Sequence, residues 1–447
     1  MGAGGTPHLP MTSNVAPLKA DTIEFQEQAK SDYQRNFLAG LVHGIFFQMS
    51  AAFGSIHTVL PAFVTLLTPS TVAVGLMAAI QGVGEIVPQL FTAYLVEDKP
   101  RKKPYLLAVI TVRWLAWGLL AWLTYRYALT RPGLVLAVLV GLFGLFSIAG
   151  GVGAVVYADI FARAIPAERR GRFTGARQIG GFALAIFAGW IVKQVLESDA
   201  LPFPTNYSVI FALSAVTLAV AFTGFALIRE PVYPVRRQND SLGAMLQQAR
   251  RLVHANPNLR RLLFSRGILG LAVGLAPFYV VHAREAPAFN AGTIGLFLSA
   301  QMAGAALSNL LWAWLADTFG NKTVIVGTLV SAALAPLLAL LLPPAVPLAY
   351  ALVFVLLGSM LSGMKIGYNN FVLEMAGPEI RANCVALQNT LLAPIALFPL
   401  FAGYLVEATS FNWLFGSEVV LLAVGIIISL RLLDPRHNVE GACINRD

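Results

Sequence analysis

A lysine lies in the middle of an apolar stretch, "GSMLSGMKIGYNNF", that carries no other charge. Ser362, Lys365 and Asn369 fall on one helix face because they are three to four residues apart. A charge at such a position needs a partner or a function. A lysine beside hydroxyl and amide groups would suit an anionic or zwitterionic solute. The structural alternative is a lysine bound to a carbonyl or to Glu374.

Two further charges lie inside apolar stretches, Glu85 in one and Arg113 in the next. If these stretches are antiparallel helices, the rise of about 1.5 Å per residue brings the two side chains to a similar depth. An ion pair is therefore expected. Because carboxyl groups at such depth also relay protons, Glu85 is equally a candidate proton-binding residue.

Histidine and arginine add a second group of candidates. His43, Ser50 and His57 recur at intervals of seven, so they stay close to one side of a helix. Each histidine would either exchange protons near neutral pH or pack as a hydrogen-bonding side chain. Arg177 would contact a solute or pair with Asp159, and the sequence favours neither.

The elements that must position these residues are membrane-spanning helices. The chain of 447 residues is 57% apolar and 12% charged, with a mean hydropathy of +0.70, whereas soluble domains carry about 25% charged residues. Apolar runs long enough to cross a bilayer recur along its whole length. They predict an all-α polytopic membrane protein with twelve spans, at 36–66, 71–96, 104–128, 132–165, 169–198, 206–228, 258–284, 293–318, 322–343, 348–376, 380–408 and 412–434.

The net charge of +9 is concentrated in alternate loops, after spans 2, 4 and 6. This bias marks the cytoplasmic side, so both termini are expected in the cytoplasm of what we take to be a bacterial inner membrane. Snorkelling and anionic lipid explain the basic loops, and no nucleic-acid partner is predicted. The two cysteines, Cys384 and Cys443, indicate neither a disulfide framework nor a metal site. No cofactor is predicted.

The chain contains an internal repeat. A shift of 220 residues aligns "VGLMAAIQGVGEIVPQLFTAYLVEDKPRKK" with "IGLFLSAQMAGAALSNLLWAWLADTFGNKT". This places Gly75 on Gly295 and Gln81 on Gln301. Parallel repeats of this kind are typical of transporters. The sequence therefore predicts an N-terminal tail (1–35), a six-helix half (36–228), a basic linker (229–257), a second half (258–434) and a C-terminal tail (435–447).

With these features the chain resembles the major facilitator superfamily over about residues 36 to 434. The loop after span 2 in that family reads G-x-L-a-D-r-x-G-r-k. Here Ala93, Leu95, Glu97, Pro100, Arg101 and Lys102 stand at those positions, and the second copy has Ala313, Leu315, Asp317, Gly320 and Lys322. The resemblance implies two pseudo-symmetric six-helix halves around a central cavity lined by spans 1, 4, 7 and 10. It therefore directs Lys365 at the path of a solute.

The resemblance also implies a charged gate at the cytoplasmic ends of the helices. Glu97 and Asp317 would face helix N-termini of the other half, where the helix dipole favours negative charge. Arg101 would reach Asp159. These contacts would close the cytoplasmic side in one state and break in the other. The simpler alternative is a solvated basic turn. The further gating candidates are Lys322, Arg170 and Arg381.

The function predicted is secondary active transport of a small organic solute by alternating access, with protons as the coupling ion. Lys365, Asn369, Ser362, His43, Ser50 and Arg177 are the candidates for solute binding, and Glu85 and His57 those for proton coupling. The chain has no Walker loop, zinc-ligand spacing or nucleophile elbow, so an enzyme is not predicted. Efflux of lipophilic compounds is the alternative, and a non-transporting sensor or lipid scaffold is a third class. The partners expected are the solute, membrane lipids and protons, and the protein is expected to be a monomer.

Overall fold

The computed structural model describes residues 31–96, 99–231, 251, 253–287, 289–375, 388 and 391–436, and within these ranges the chain is helical and has no strand. The helices are numbered by the predicted span that each fills. The first half contains α1a (Tyr33–Phe53), α1b (Val59–Leu67), α2 (Thr71–Val96), α3 (Lys103–Tyr127), α4 (Pro132–Ala164), α5 (Arg170–Glu197) and α6 (Thr205–Ala226). The second half contains α7 (Pro257–Arg284), α8 (Thr293–Phe319), α9 (Asn321–Leu341), α10 (Pro347–Met375), α11 (Phe398–Ala408) and α12 (Phe411–Leu430).

Among the described residues, eleven helices are long and apolar enough to cross a membrane, and the apolar helix α11 is shorter. This confirms the predicted all-α polytopic fold. The span predicted over 380–408 lies partly outside the described residues. Its described part is a 3-10 turn, Ala393–Leu397, followed by α11. Pro394 and Pro399 lack the N–H groups that a regular α-helix would use there.

The prediction of one continuous helix over 36–66 is wrong, because span 1 breaks after Phe53 and resumes at Val59. Gly54 ends α1a. A Cβ atom at that position would lie 2.6 Å from a ring carbon of Trp117, so the indole packs directly on the Gly54 backbone. Glycine and the serine that follows it both lower helix propensity, which makes this the weakest point of the span.

The outer surface is apolar and rich in exposed tryptophans, as expected of a protein embedded in lipid. Trp122, Trp190, Trp314 and Trp413 are each more than half exposed. A water-soluble protein rarely exposes such large apolar patches. Tryptophan is also enriched at the boundary between hydrocarbon and headgroups.

The two faces of the bundle differ in charge. The basic face holds the helix ends with Lys102, Arg163, Arg229, Arg261 and Arg431. The other face is called the distal face below. Since the first and last described helices, α1a and α12, have their outer ends at the basic face, the chain enters and leaves the bundle there.

The halves touch at the distal face through two glycines that the repeat alignment pairs. A Cβ atom on Gly75 in α2 would collide with the backbone of Pro399 in the second half. A Cβ atom on Gly295 in α8 would collide with the backbone of Lys193 and Gly189 in α5 of the first half. Glycine therefore permits the closest approach at both contacts. The first half contributes Gly75 to one of these contacts, and the second half contributes Gly295 to the other.

Polar contacts add to this distal closure. The Arg284 guanidinium, at the end of α7, donates hydrogen bonds to the Ala62 carbonyl and to Oγ1 of Thr65 in α1b. The Glu407 carboxylate in the second half accepts a hydrogen bond from the Ser70 hydroxyl of the first half (2.7 Å). The distal side of the molecule is therefore sealed in this structure.

Each half is also closed on itself by a buried asparagine. Asn36, at the start of α1a, donates to the Arg229 carbonyl (3.1 Å) and accepts from the Arg229 N–H (2.8 Å), just beyond α6. Asn258, at the start of α7, makes the same pair of bonds with Leu433 beyond α12, both at 2.9 Å. The first helix of each half is thus tied to the end of its last helix.

Candidate functional site

A cavity of about 350 Å³ lies between the halves, on the basic side of the distal closure. It is formed by the break between α1a and α1b, by α2, α7 and α10, and by the segment around α11. Its lining is mostly apolar, with a small polar group at one side. The polar residues at its wall are His57, Gln81, Glu85 and Arg266.

Glu85 lies on α2 and contributes a half-buried carboxyl group to the cavity wall. Its Oε1 atom accepts a hydrogen bond from the Gln81 amide one turn earlier (3.0 Å). The predicted ion pair with Arg113 does not form. Arg113 instead lies over the Phe146 ring at 3.9 Å and near the Phe47 ring at 5.1 Å. Glu85 still attracts it across a longer distance.

Lys365 on α10 faces the cleft between the halves. Its side chain is exposed although it lies deep within the bundle, so it borders open space between the helices. It lies in electrostatic range of Glu85, which attracts it, and of Arg177, which repels it. Among the described residues, Lys365 makes no hydrogen bond or ion pair. The suggested partner Glu374 instead pairs with Arg436 (2.6 Å).

The predicted polar stripe on α10 divides in two. Asn369 is exposed, like Lys365 one turn earlier. Ser362 is buried, and its hydroxyl donates to the Asn309 side chain of α8 (3.1 Å). Asn309 in turn donates to the side chain of Gln178 in the first half (2.8 Å). Ser362 therefore supports a contact between the halves.

Arg266 is a cavity residue that the sequence reasoning missed. It lies on α7, with its guanidinium 5.4 Å from the centroid of the Tyr368 ring. Its Nε atom is buried and has no hydrogen-bond partner among the described residues. Arg266 follows Arg260 and Arg261 so closely in sequence that it resembles the snorkelling basic end of the helix. The signal that could have identified it is its position, about one and a half helical turns further from the basic end of α7 than Arg261.

Arg177 on α5 does not reach Asp159. Its guanidinium donates to the Tyr157 hydroxyl and lies 5.3 Å from the centroid of that ring. The side chain crosses α1a at Gly44, where any Cβ atom would occupy the same space. Arg177 is thereby held at the depth of Lys365, which it repels.

The break in span 1 separates the three residues predicted to share a stripe. His43 is buried, with Nδ1 3.0 Å from the Ala221 carbonyl of α6. Ser50 is also buried and donates to the Ser214 carbonyl of the same helix (2.8 Å). Both side chains therefore tie α1a to α6. His57 lies within the break and lines the cavity.

The charged residues at the basic face are arranged differently from the prediction. Asp159 pairs with Lys102 (3.0 Å) and Arg163 (2.7 Å), whereas Arg101 is exposed and does not reach it. The loop before α3 directs the neighbouring Lys102 towards α4. Arg170 donates to the carbonyls of Ala162 and Ile165 within its own half.

The other predicted gate residues make no contact between the halves in the described part of the chain. Asp317 is exposed, Lys322 is half-buried, and no hydrogen bond or ion pair involves either. Glu97 and Arg381 lie outside the described residues. The described polar contact between the halves nearer the basic face is the one from Asn309 to Gln178, and Asp317 and Lys322 add none to it.

Comparison with known proteins gives two findings about sequence. The sequence profile described as Major Facilitator Superfamily matches residues 262–442. No curated protein sequence matches the chain.

Solved structures match over nearly the whole chain. A mutant of the nucleoside transporter NupG is 15% identical, with a TM-score of 0.69 over 89% of this chain and 100% of that one. A peptide transporter POT mutant in complex with sulfate is 13% identical, with a TM-score of 0.67 over 91% and 98%. A D-xylose-proton symporter is 14% identical, with a TM-score of 0.63 over 91% and 98%. At these identities the likeness concerns the fold.

Proposed function

We propose that the chain, whose residues 262–442 match the Major Facilitator Superfamily profile, is a member of that family, and that it is a secondary active transporter that moves a small organic anion by alternating access. The family and its fold indicate a transporter rather than an enzyme. One observation carries the choice of an anion. Arg266 and Lys365 lie beside the central cavity, and neither contacts an acid among the described residues.

The charge around the cavity supports this choice. Arg113, Arg177, Arg266 and Lys365 are cations, and Glu85 is the carboxylate that lies among them. Removing charges from water costs free energy unless opposite charge compensates them. A carboxylate or phosphate group on the solute would supply that compensation. The apolar wall formed by Ile86, Val273 and Ile395, among others, would receive the rest of the molecule.

The asymmetry between the faces supports alternating access. The distal side is sealed by the glycine contacts and by Arg284, whereas Asp317 at the basic face is exposed and unbound. This arrangement is what a carrier open towards the basic face would show. The excess of Lys and Arg on this face favours the cytoplasmic side of the membrane. On this proposal the structure represents the inward-facing state.

Glu85 is the residue we propose for proton coupling, with His57 as the second candidate. Glu85 lines the cavity and attracts Lys365 electrostatically. Protonation of Glu85 would remove that attraction and leave Lys365 available to the anion. Binding of a proton and binding of the solute would therefore favour one another. Glu85→Gln should preserve solute binding but remove the dependence of uptake on a proton gradient.

A thermal-unfolding screen of the purified protein tests the choice of solute class. A ligand at 100 times its dissociation constant stabilises the folded state by about 2.7 kcal/mol if it binds that state alone. We expect organic carboxylates or phosphates to stabilise the protein. Lys365→Ala and Arg266→Gln should each abolish that stabilisation, whereas Lys365→Arg should retain part of it because the charge persists.

Arg126→Gln is the matched control, because Arg126 is an exposed arginine at the distal end of α3. It should leave ligand stabilisation unchanged. If Lys365→Ala and Arg266→Gln bind the stabilising anion as well as the wild type does, the proposal of an anionic solute is wrong.

Efflux of lipophilic compounds is the second candidate, because most of the cavity wall is apolar. It makes the opposite prediction in the same screen. Neutral lipophilic compounds would then stabilise the protein, and Lys365→Ala would not reduce their effect.

A further inference from the structure

A second buried carboxyl group lies away from the central cavity, and the proposed transport site does not use it. Glu418 is on α12 and is only 2% exposed. Its Oε2 atom accepts a hydrogen bond from the Tyr279 hydroxyl of α7 (2.8 Å). The Tyr279 ring stacks on Phe415, with a centroid separation of 4.6 Å. The carboxyl group is therefore enclosed by aromatic side chains.

No cation faces Glu418 from the described helices that pack against it. From α7 it meets Tyr279, with His282 one turn further on. The one ionisable residue of α9 is Lys322, at the basic end of that helix, whereas Glu418 lies in the distal half of α12. The described part of α11 offers the exposed Tyr404 and Glu407, which is bound to Ser70.

The remaining titratable groups nearby belong to the same aromatic cluster. The Tyr350 hydroxyl of α10 donates to the Tyr279 carbonyl (3.3 Å) and lies 2.9 Å from Nδ1 of His282. The His282 ring packs 5.4 Å from the centroid of Phe415. An ionised carboxylate without a counter-charge is strongly disfavoured in such surroundings. These surroundings therefore favour the neutral, protonated form of Glu418 in this conformation.

The same part of α7 carries a contact between the halves. Pro277 interrupts the hydrogen bonding of α7 and marks the point where the helix can bend. The segment beyond it, 278–284, holds Tyr279 against Glu418 and ends at Arg284. Arg284 binds Ala62 and Thr65 of the first half. Opening the distal face must break these bonds and move this segment. The movement would also take Tyr279 away from Glu418.

We propose that Glu418 is a proton-binding site that controls the distal closure. The carboxylic acid holds its proton while the segment 278–284 covers it. When the distal face opens, the carboxyl group meets water from that side and releases its proton there. Protons on the distal side therefore favour closure. The inference rests on the proposed alternating access and is independent of the identity of the solute.

A distance measurement between spin labels tests the proposal without any solute. Labels at Ala200 and Ala345, which are exposed distal loop positions in different halves, report opening once Cys384 and Cys443 are replaced by serine. We expect the population with the longer separation to grow as pH rises. One proton changes the ratio of the two states by at most about tenfold per pH unit.

Glu418→Gln is the test variant, because its amide is neutral at every pH and still accepts the Tyr279 hydrogen bond. We expect it to remain closed and to lose the response to pH. Glu285→Gln, a carboxyl change in the loop directly after α7, is the matched control and should respond like the wild type. His282→Gln should also keep the response. If the response survives in Glu418→Gln, or disappears in His282→Gln instead, the proposal is wrong.

Gly295→Ala distinguishes failure of this inference from failure of the transport proposal, because its added methyl group forces the distal closure apart. If the wild type does not respond to pH while Gly295→Ala shows the longer separation, the proton site is refuted and alternating access stands. If neither shows it, both proposals fail. Infrared spectroscopy adds a direct readout. The carbonyl band of a protonated carboxyl group should be lost in Glu418→Gln and kept in Glu285→Gln, and an unchanged band in Glu418→Gln refutes the proposal.

Discussion

A single methyl group added at Gly295 should open the distal face. A Cβ atom there would lie 2.5 Å from the Gly189 carbonyl oxygen and 2.7 Å from Lys193 Cα. These are backbone atoms that cannot rotate away, so α8 and α5 must separate. Overpacking of this kind costs about 1–3 kcal/mol. Only the distally closed state bears that cost, so Gly295→Ala should shift the balance of states by about 5- to 150-fold.

Two other glycines provide controls for this prediction. Gly304 lies on the same helix but faces α10 in its own half, where a Cβ atom would be 2.7 Å from Val355 Cα. Since that contact persists in both states, Gly304→Ala should lower the free energy of unfolding without shifting the balance. A Cβ atom on Gly118 would have no described neighbour within 4 Å. Gly118→Ala should therefore leave the balance of states unchanged, and it should raise the free energy of unfolding by about 0.4–1 kcal/mol because alanine favours the helix.

Labelling of a single cysteine measures the balance of states. Ala78 lines the cavity below the distal closure, so Ala78→Cys is reached from the distal side only when that side opens. With the two native cysteines replaced, a membrane-impermeant thiol reagent should label it faster in Gly295→Ala and in the equivalent variant Gly75→Ala. The reasoning is refuted if Gly304→Ala raises the rate as much as Gly295→Ala does.

The polar contacts and a third glycine give three further predictions. Asp317→Asn should increase the population of the distally closed state. Asp317 would contact a helix dipole only when the basic face is closed, and the variant loses that contact, which is worth about 0.3–1 kcal/mol. Slower distal labelling of Ala78→Cys checks this. Asn36→Ala and Asn258→Ala should each lower the free energy of unfolding by about 1–3 kcal/mol, measured by denaturant titration, because each leaves buried backbone groups unpaired. Gly44→Ala should displace the Arg177 side chain and weaken binding of the stabilising anion by about tenfold, roughly the contribution of one charge-assisted hydrogen bond. Titration calorimetry measures this affinity. An unaltered affinity would show that Arg177 is not part of the site.

The helices and the repeat can be predicted because their signals are local. Long apolar runs specify membrane spans regardless of what packs on them. The alignment of Gly75 with Gly295 identifies two positions that make equivalent contacts between the halves. The break after Phe53 is signalled only weakly by Gly54 and Ser55, and the packing of Trp117 on Gly54 has no signal in the local sequence. That contact joins residues far apart in sequence.

The site is less predictable than the helices, since partners depend on side-chain direction. Lys365 stands out because a lone charge in an apolar stretch is conspicuous. Arg266 is hidden beside a basic helix end, and Glu85 and Arg113 lie at compatible depths but face different neighbours. The partner of Asp159 is Lys102 instead of Arg101, a difference of one residue in a loop. The roles of all these residues in transport remain predictions.

The hydrogen bonds of the two buried asparagines have a consequence for how the chain can be divided. Asn36 and Asn258 fasten the first helix of each half to the end of its last helix, and the Asn256 side chain also caps the start of α7. In the described part of the chain, the first and last helices of each half are thus joined by residues of the same half. The polypeptide could therefore be severed between 231 and 256 and expressed as two separate fragments. We expect the fragments to reassemble, as the products of a duplicated half-length gene would have done before fusion.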